Sequence, residues 1–197
     1  MRSFHQSLPA VVCLLLLFSC SKAPLTEKSF APHGYSFVKY SIPAGQHYAS
    51  SSVYRPIDLQ DLRFIVKFDS SAVYQTQDPS NQEDINKLYG FSDNGAHHHQ
   101  YSARFGWNWV RNALRLYGYV YNNGQRMHQE ITPIEIGREY YCSLRVTSDK
   151  YIFTVNSIVA ELPRSSGSAR AQGYQLFPYF GGDEPAPHQI DIWIRDL

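Results

Sequence analysis

Cysteine is scarce in this chain. Of three in 197 residues, Cys13 lies in an apolar run near the start, Cys20 closes that run, and Cys142 stands alone in the body of the sequence. A lone thiol forms no internal disulfide, so the folded part must take its stability from a core. Charge of one sign is equally lacking: 18 Lys+Arg against 17 Asp+Glu leave a formal net charge of +1. That balance excludes a basic nucleic-acid surface and an acidic solvating tail. There is no long amphipathic helical pattern, no internal repeat and no second long apolar run. A Gly-x-Ser-x-Gly elbow, a phosphate loop, a dinucleotide fingerprint and a Cys-x-x-Cys pair are all missing. The common nucleophile, nucleotide and redox chemistries therefore have no support.

Aromatic residues are plentiful, with 15 Tyr, 11 Phe and 3 Trp, and from Tyr35 onward they fall into period-two alternation. Leu62, Phe64, Val66 and Phe68 alternate with Arg63, Ile65, Lys67 and Asp69. Phe105, Trp107 and Trp109 alternate with Arg104, Gly106 and Asn108. Tyr140, Cys142, Leu144 and Val146 form a third apolar set, Tyr151, Phe153 and Val155 a fourth, and Ile190, Ile192 and Ile194 the last. Turn-rich stretches separate them at Gln77–Asp84, Ser92–Gly95, Pro163–Gly173 and Gly181–Pro187, and Asp84–Leu88 alone hints at a helical turn. Many strands without alternating helices predict an all-β, antiparallel sandwich.

The centre of the chain can be registered. Asn123-Gly124 is a strong type I′ hairpin signal, which sets Asn122 opposite Gln125, Tyr121 opposite Arg126, Val120 opposite Met127, Tyr119 opposite His128, Tyr117 opposite Glu130 and Leu116 opposite Ile131. One face is then Leu116, Val120, Met127 and Ile131, and a one-residue slip would mix it with the polar set. A turn centred on Val110-Arg111 adds a third strand, pairing Phe105 with Leu116 and Arg104 with Tyr117. The shared polar face holds Arg104, Arg115, Tyr117, Tyr119, Tyr121, Arg126, His128 and Glu130. Tyrosine offers a ring for sugar C–H faces and a hydroxyl for sugar hydroxyls, and arginine suits the carboxylates or sulfates of an acidic glycan. The competing reading is an ordinary solvent-facing sheet, where Tyr forms strand and Arg keeps it soluble.

Two loops hold other candidates. In an extended strand three adjacent imidazoles diverge, so of His97-His98-His99 the pair His97 and His99 is the metal candidate, with a third ligand such as Asp93. His98 is expected to touch a glycan. Asp183 and Glu184, in a Gly- and Pro-rich loop, offer oxygen ligands for Ca²⁺. Loop packing or glycan contact is the preferred account of both loops, so no cofactor is expected and Ca²⁺ is the alternative. Cys142 falls on an apolar face and reads as a buried small hydrophobe.

The N-terminus reads as an address. Arg2 and His5 precede the apolar run Leu8–Phe18, too short to span a bilayer, and Leu17-Phe18-Ser19-Cys20 resembles the lipobox of bacterial lipoproteins. The resemblance implies cleavage before Cys20 and lipidation of its thiol, each buried methylene adding about 0.8 kcal/mol of membrane affinity. An ordinary signal peptide with an incidental Cys is the competing reading. The expected organisation is a leader at 1–19, a lipidated tether at 20–33 and one domain at 34–197. Ser21-Lys22-Ala23-Pro24 carries no acidic cluster of the kind found in some surface-exported lipoproteins, so the expected place is a periplasm-facing outer-membrane anchor.

Lys87-Leu88-Tyr89-Gly90-Phe91, the stretch from His98 to Trp107 and the stretch from Leu176 to His188 resemble bacterial lipoproteins and secreted proteins with a concanavalin-like jelly-roll domain. The resemblance implies two curved sheets with a glycan across one of them. The Glu-x-Asp-x-Glu strand of family 16-type glycanases is absent; neither Glu135-Ile136-Gly137 nor Asp191-Ile192-Trp193 forms it. Of the alginate-lyase-like motifs only the Tyr-Phe-Lys-x-Gly strand has a faint likeness here, in Tyr179-Phe180-Gly181, and the others are missing. The reading is therefore a non-catalytic polysaccharide- or oligosaccharide-binding module on a membrane anchor. The alternatives are a polysaccharide lyase in which Tyr119 and His128 form an acid–base pair while Arg104 or Arg126 neutralises a uronate, and an envelope module for a protein partner.

Overall fold

Alternation of apolar and polar residues produces twelve strands in the computed structural model, which describes residues 36–197. Residues 1–35, and with them the expected leader, the lipidated Cys20 and the tether, lie outside the described residues. The strands are β1 (Val38–Ile42), β2 (Pro56–Leu59), β3 (Asp61–Phe68), β4 (Asn86–Ser92), β5 (Tyr101–Val110), β6 (Ala113–Asn122), β7 (Gln125–Ile134), β8 (Glu139–Val146), β9 (Lys150–Val155), β10 (Ile158–Pro163), β11 (Ala171–Leu176) and β12 (Ile190–Asp196). They form two antiparallel six-stranded sheets, β1-β12-β3-β8-β9-β10 and β2-β11-β4-β5-β6-β7. This is the antiparallel sandwich expected from the alternation, and the jelly roll that the resemblance implies.

The inner faces interdigitate through aromatic rings. Phe105 of β5 meets Phe64 of β3 and Phe153 of β9 edge to face, at centroid distances of 5.4 and 5.2 Å. Trp107 packs on Phe68 at 5.3 Å and on Tyr74 at 5.8 Å. Such pairs add about 0.5–1.5 kcal/mol each beyond their buried area. Gly118 makes room for one of them: a Cβ there would lie 2.9 Å from the Phe153 ring. Cys142 is fully buried between the sheets, where desolvation pushes its thiol up.

The Asn123-Gly124 turn forms as expected, with φ of 52° and 75°, and the pairs Asn122–Gln125, Tyr121–Arg126, Val120–Met127, Tyr119–His128 and Tyr117–Glu130 all occur. Beyond Tyr117 a bulge leaves Ile131 as the extra residue, so Leu116 faces Thr132 and not Ile131. The β5–β6 turn sits one residue later than expected. Arg111 and Asn112 both take positive φ, 52° and 57°, forming a two-residue loop of the type I′ kind. Arg104 therefore faces Tyr119, and Phe105 faces Gly118. This displaces every pair by two residues and leaves each side chain on its expected face. Two local expectations fail. Asp84–Leu88 is not helical but runs into β4, and the turn-rich Pro163–Gly173 already contains the start of β11, because pairing with neighbours overrides local propensity.

One buried ion pair joins the sheets. Asp93, just past β4, accepts from Arg164 Nε at 2.6 Å and from Tyr151 Oη of β9 at 2.8 Å, with both charged side chains fully shielded from solvent. Arg164 spends its other donors on Asp93 Oδ1 and the carbonyls of Thr147, Ser168 and Arg170. Removing one partner of such a pair leaves an uncompensated buried charge. Asp93→Ala is expected to cost about 3–5 kcal/mol in urea unfolding; a loss below about 1 kcal/mol would contradict this role.

Candidate functional site

The face opposite the core is read from even positions of β5 and odd positions of β6. Arg104 lies beside Tyr119 across the ladder, and Tyr119 and Tyr121 follow each other along β6 at a centroid distance of 6.0 Å. These three, with Arg126 and His98, line a groove of about 630 Å³. The remaining expected residues, Arg115, Tyr117, His128 and Glu130, line a separate depression of about 140 Å³. There Arg115 is ion-paired with Glu130 at 2.6 Å, so the two charges satisfy each other. The predicted face is thus continuous in sequence and divided in space.

Residues from elsewhere complete the larger groove: Lys87 from β4, Gln175 from β11, His99, and Tyr48 and Tyr179 from the loops. Tyr179 stacks on His47 at 5.3 Å and meets the edge of Tyr48 at 5.0 Å. Tyr48 remains 70% exposed. The wall is therefore a set of rings, Tyr48 exposed and Tyr179 half-buried, while the floor is cationic.

The floor is where the charges are unbalanced. Arg104 is 6% exposed and its Nε has no hydrogen-bond partner. Lys87 Nζ donates to the Ile85 carbonyl at 2.7 Å. Both cations lie over the Tyr119 ring, at 4.9 Å for Lys87 and 5.6 Å for Arg104, a contact that offsets part of their desolvation. Among the described residues no ion pair includes Lys87, Arg104 or Arg126. Burial, reinforced by Arg104, pushes the Lys87 ammonium down to about 8. Burial also raises the Tyr119 hydroxyl to about 12, so it stays a donor at neutral pH. His98 is pulled down to about 4 by desolvation and then by Arg104, and is neutral. The arrangement can hold an anion against fixed donors with aromatic rings alongside.

Tyr119 and His128 are cross-strand partners, but their rings lie nearly parallel with centroids 6.5 Å apart, and His128 lines the smaller depression. The His97–His99 segment is a turn rather than an extended strand, so the three imidazoles converge instead of diverging. Asp93 is buried in its pair with Arg164 and is unavailable as the third ligand imagined for His97 and His99. Asp183 lies on the groove rim. Glu184 accepts from Gln77 N, Asp78 N and Asn81 Nδ2 at 2.7, 2.8 and 2.9 Å, which makes it an anchor for the 77–81 loop. Lys87 had no role in the sequence-based site. A register irregularity between Lys87 and Gly90 turns both Leu88 and Tyr89 toward the core, erasing the alternation that would have placed Lys87 on the open face.

Lys87 also makes a pH prediction. Its folded value near 8 lies below the ordinary 10.5, so between those limits the unfolded chain binds more protons and stability rises with pH. Wild type should gain stability relative to Lys87→Met from pH 8 to pH 10 in parallel urea titrations. A constant difference would contradict the buried, unpaired ammonium.

No protein-family model matches the chain and no curated protein matches it. Solved structures do resemble it. Alginate lyase AlyC3 superposes with a TM-score of 0.58 at 8% identity, over 80% of this chain and 72% of that one. The marine PL7 alginate lyase AlyA1 from Zobellia galactanivorans gives 0.55 at 10% identity, over 88% and 83%. A glycoside hydrolase family 16 endo-glucanase from Bacteroides ovatus gives 0.51 at 10% identity, over 83% and 81%. At such identities the likeness is one of fold: the domain is a concanavalin-like jelly-roll sandwich.

Proposed function

We propose that this chain is a lipid-anchored envelope protein whose jelly-roll domain binds an acidic polysaccharide without cleaving it. Arg104 carries the reading. Burying a cation without a counter-ion costs several kcal/mol, and the charge sits on the floor of an open groove beside Lys87 and Arg126. A carboxylate or sulfate of the ligand supplies the missing partner through the guanidinium fork. Tyr48, Tyr121 and Tyr179 offer ring faces to the sugar C–H surfaces, and the Tyr119 hydroxyl lies beside them for neutral hydroxyls. Alginate lyase AlyC3 has been solved in complex with dimannuronate, a precedent for a sugar acid on this fold. The apolar leader, Cys20 and the absence of acidic residues just after it support a membrane anchor facing the periplasm.

Elimination chemistry is the second reading, and the placement of His128 outside the groove speaks against Tyr119 and His128 as its acid–base pair. Affinity electrophoresis of the full chain through gels holding polyuronate, sulfated glycan or neutral glucan separates the cases. Retention is expected in the acidic gels alone. Arg104→Met should weaken it at least tenfold while leaving the fold as stable as wild type or more so, by up to about 4 kcal/mol. Equal retention by neutral glucan, or undiminished retention by Arg104→Met, would overturn the proposal. Accumulation of an unsaturated, ultraviolet-absorbing product would convert binding into lyase activity.

A further inference from the structure

We propose that His97, His98 and His99 together form a site for a late-transition divalent cation, Zn²⁺ or Cu²⁺, at the rim of the groove. The backbone makes this arrangement. The His97 carbonyl accepts from Gln100 N at 2.8 Å and from Tyr101 N at 3.2 Å, winding the segment into a tight turn that stacks successive side chains on one side. The ring centroids are 4.2, 4.5 and 5.1 Å apart, and one ligand atom from each residue lies within 4.8 Å of the others. A tetrahedral ion with nitrogens at about 2.0–2.1 Å holds them about 3.4 Å apart. His97 and His99 are exposed, which leaves their side chains room to turn toward that spacing.

His98 is already oriented. Its Nδ1 lies 2.9 Å from Tyr174 Oη, and a partner on that nitrogen leaves Nε2 as the metal ligand, the role such outer-shell contacts play at histidine sites. The turn itself is fixed at both ends: Ser102 Oγ donates to the His98 carbonyl at 2.7 Å, and Ala96 N donates to the carbonyl of Asp93, the carboxylate buried against Arg164. Folding has therefore supplied much of the ordering that binding would otherwise require. The donor set is three imidazoles and no carboxylate, which suits Zn²⁺ and Cu²⁺ rather than Ca²⁺ or Mg²⁺. Arg104 and Lys87 on the nearby groove floor oppose an ion held by charge alone, and favour one held by partly covalent nitrogen bonds. Three ligands leave one position of a tetrahedral ion open.

The test titrates the full, chelator-stripped chain with ZnCl2 or CuSO4 alone, by calorimetry and equilibrium dialysis at pH 7.5. One equivalent is expected to bind with a Kd at or below about 1 µM. His97→Gln, His98→Gln and His99→Gln should each weaken it at least tenfold, and Tyr174→Phe, with circular dichroism unchanged, by about tenfold. Cu²⁺ bound to the wild-type chain should show three coupled nitrogens in its electron paramagnetic resonance spectrum. No saturable uptake, affinity unchanged in His98→Gln, or a spectrum with two nitrogens or fewer would overturn the site. Because His97 and His99 are exposed, their variants report on binding even where a change at His98 disturbs the turn.

Discussion

The buried pair of Asp93 and Arg164 holds the end of one sheet to the end of the other. Asp93 follows β4, Arg164 follows β10, and Tyr151, which shares the carboxylate, belongs to β9 on the opposite sheet. Every donor of this arginine has an acceptor, and the carboxylate also takes the Asn94 amide at 2.7 Å. The loop that follows, with its three histidines, starts from this fixed point and returns to β5. A domain without disulfides needs such a clamp at a loop root, because the aromatic core alone does not specify how the loop leaves the sheet.

Arg104 is the opposite case. It is nearly as buried as Arg164, yet it has no carboxylate and its Nε has no acceptor. The chain therefore satisfies one interior guanidinium completely and leaves another unsatisfied at the bottom of an open groove. Packing supplies no reason for this, since an apolar residue of similar size would fill the space without the desolvation cost. The proposed ligand anion supplies one. Lys87 extends the same imbalance, and the Tyr119 ring beneath both cations moderates it. Solved structures share the fold at 8–10% identity, and a fold does not by itself dictate the site it carries.

Much of the architecture was legible because strand alternation survives any error of two residues. The β5–β6 turn was misplaced, yet Arg104, Tyr119 and Tyr121 still fell on the open face. The Asn-Gly turn fixed the neighbouring register until the bulge at Ile131. Where the backbone departs from a regular strand, the sequence became opaque. The irregularity after Lys87 hid the second groove cation, and the turn at His97 reversed the expected divergence of the imidazoles. Asp93, which looked like a metal ligand from its nearness in sequence, is committed to an arginine 71 residues away. The division of the polar face into two depressions depends on loops, including the one carrying Tyr179, whose positions no alternation records.

The central claim is that the groove recognises an anion rather than a sugar surface in general. Calorimetry with a uronic-acid oligosaccharide and its carboxyl-reduced counterpart, identical except for charge, tests it most directly. The account predicts measurable binding of the acid and at least tenfold weaker binding of the reduced sugar, with the acid's affinity falling as salt rises. Equal affinity for the two would show that Arg104 and Lys87 do not meet the ligand, and would contradict the account.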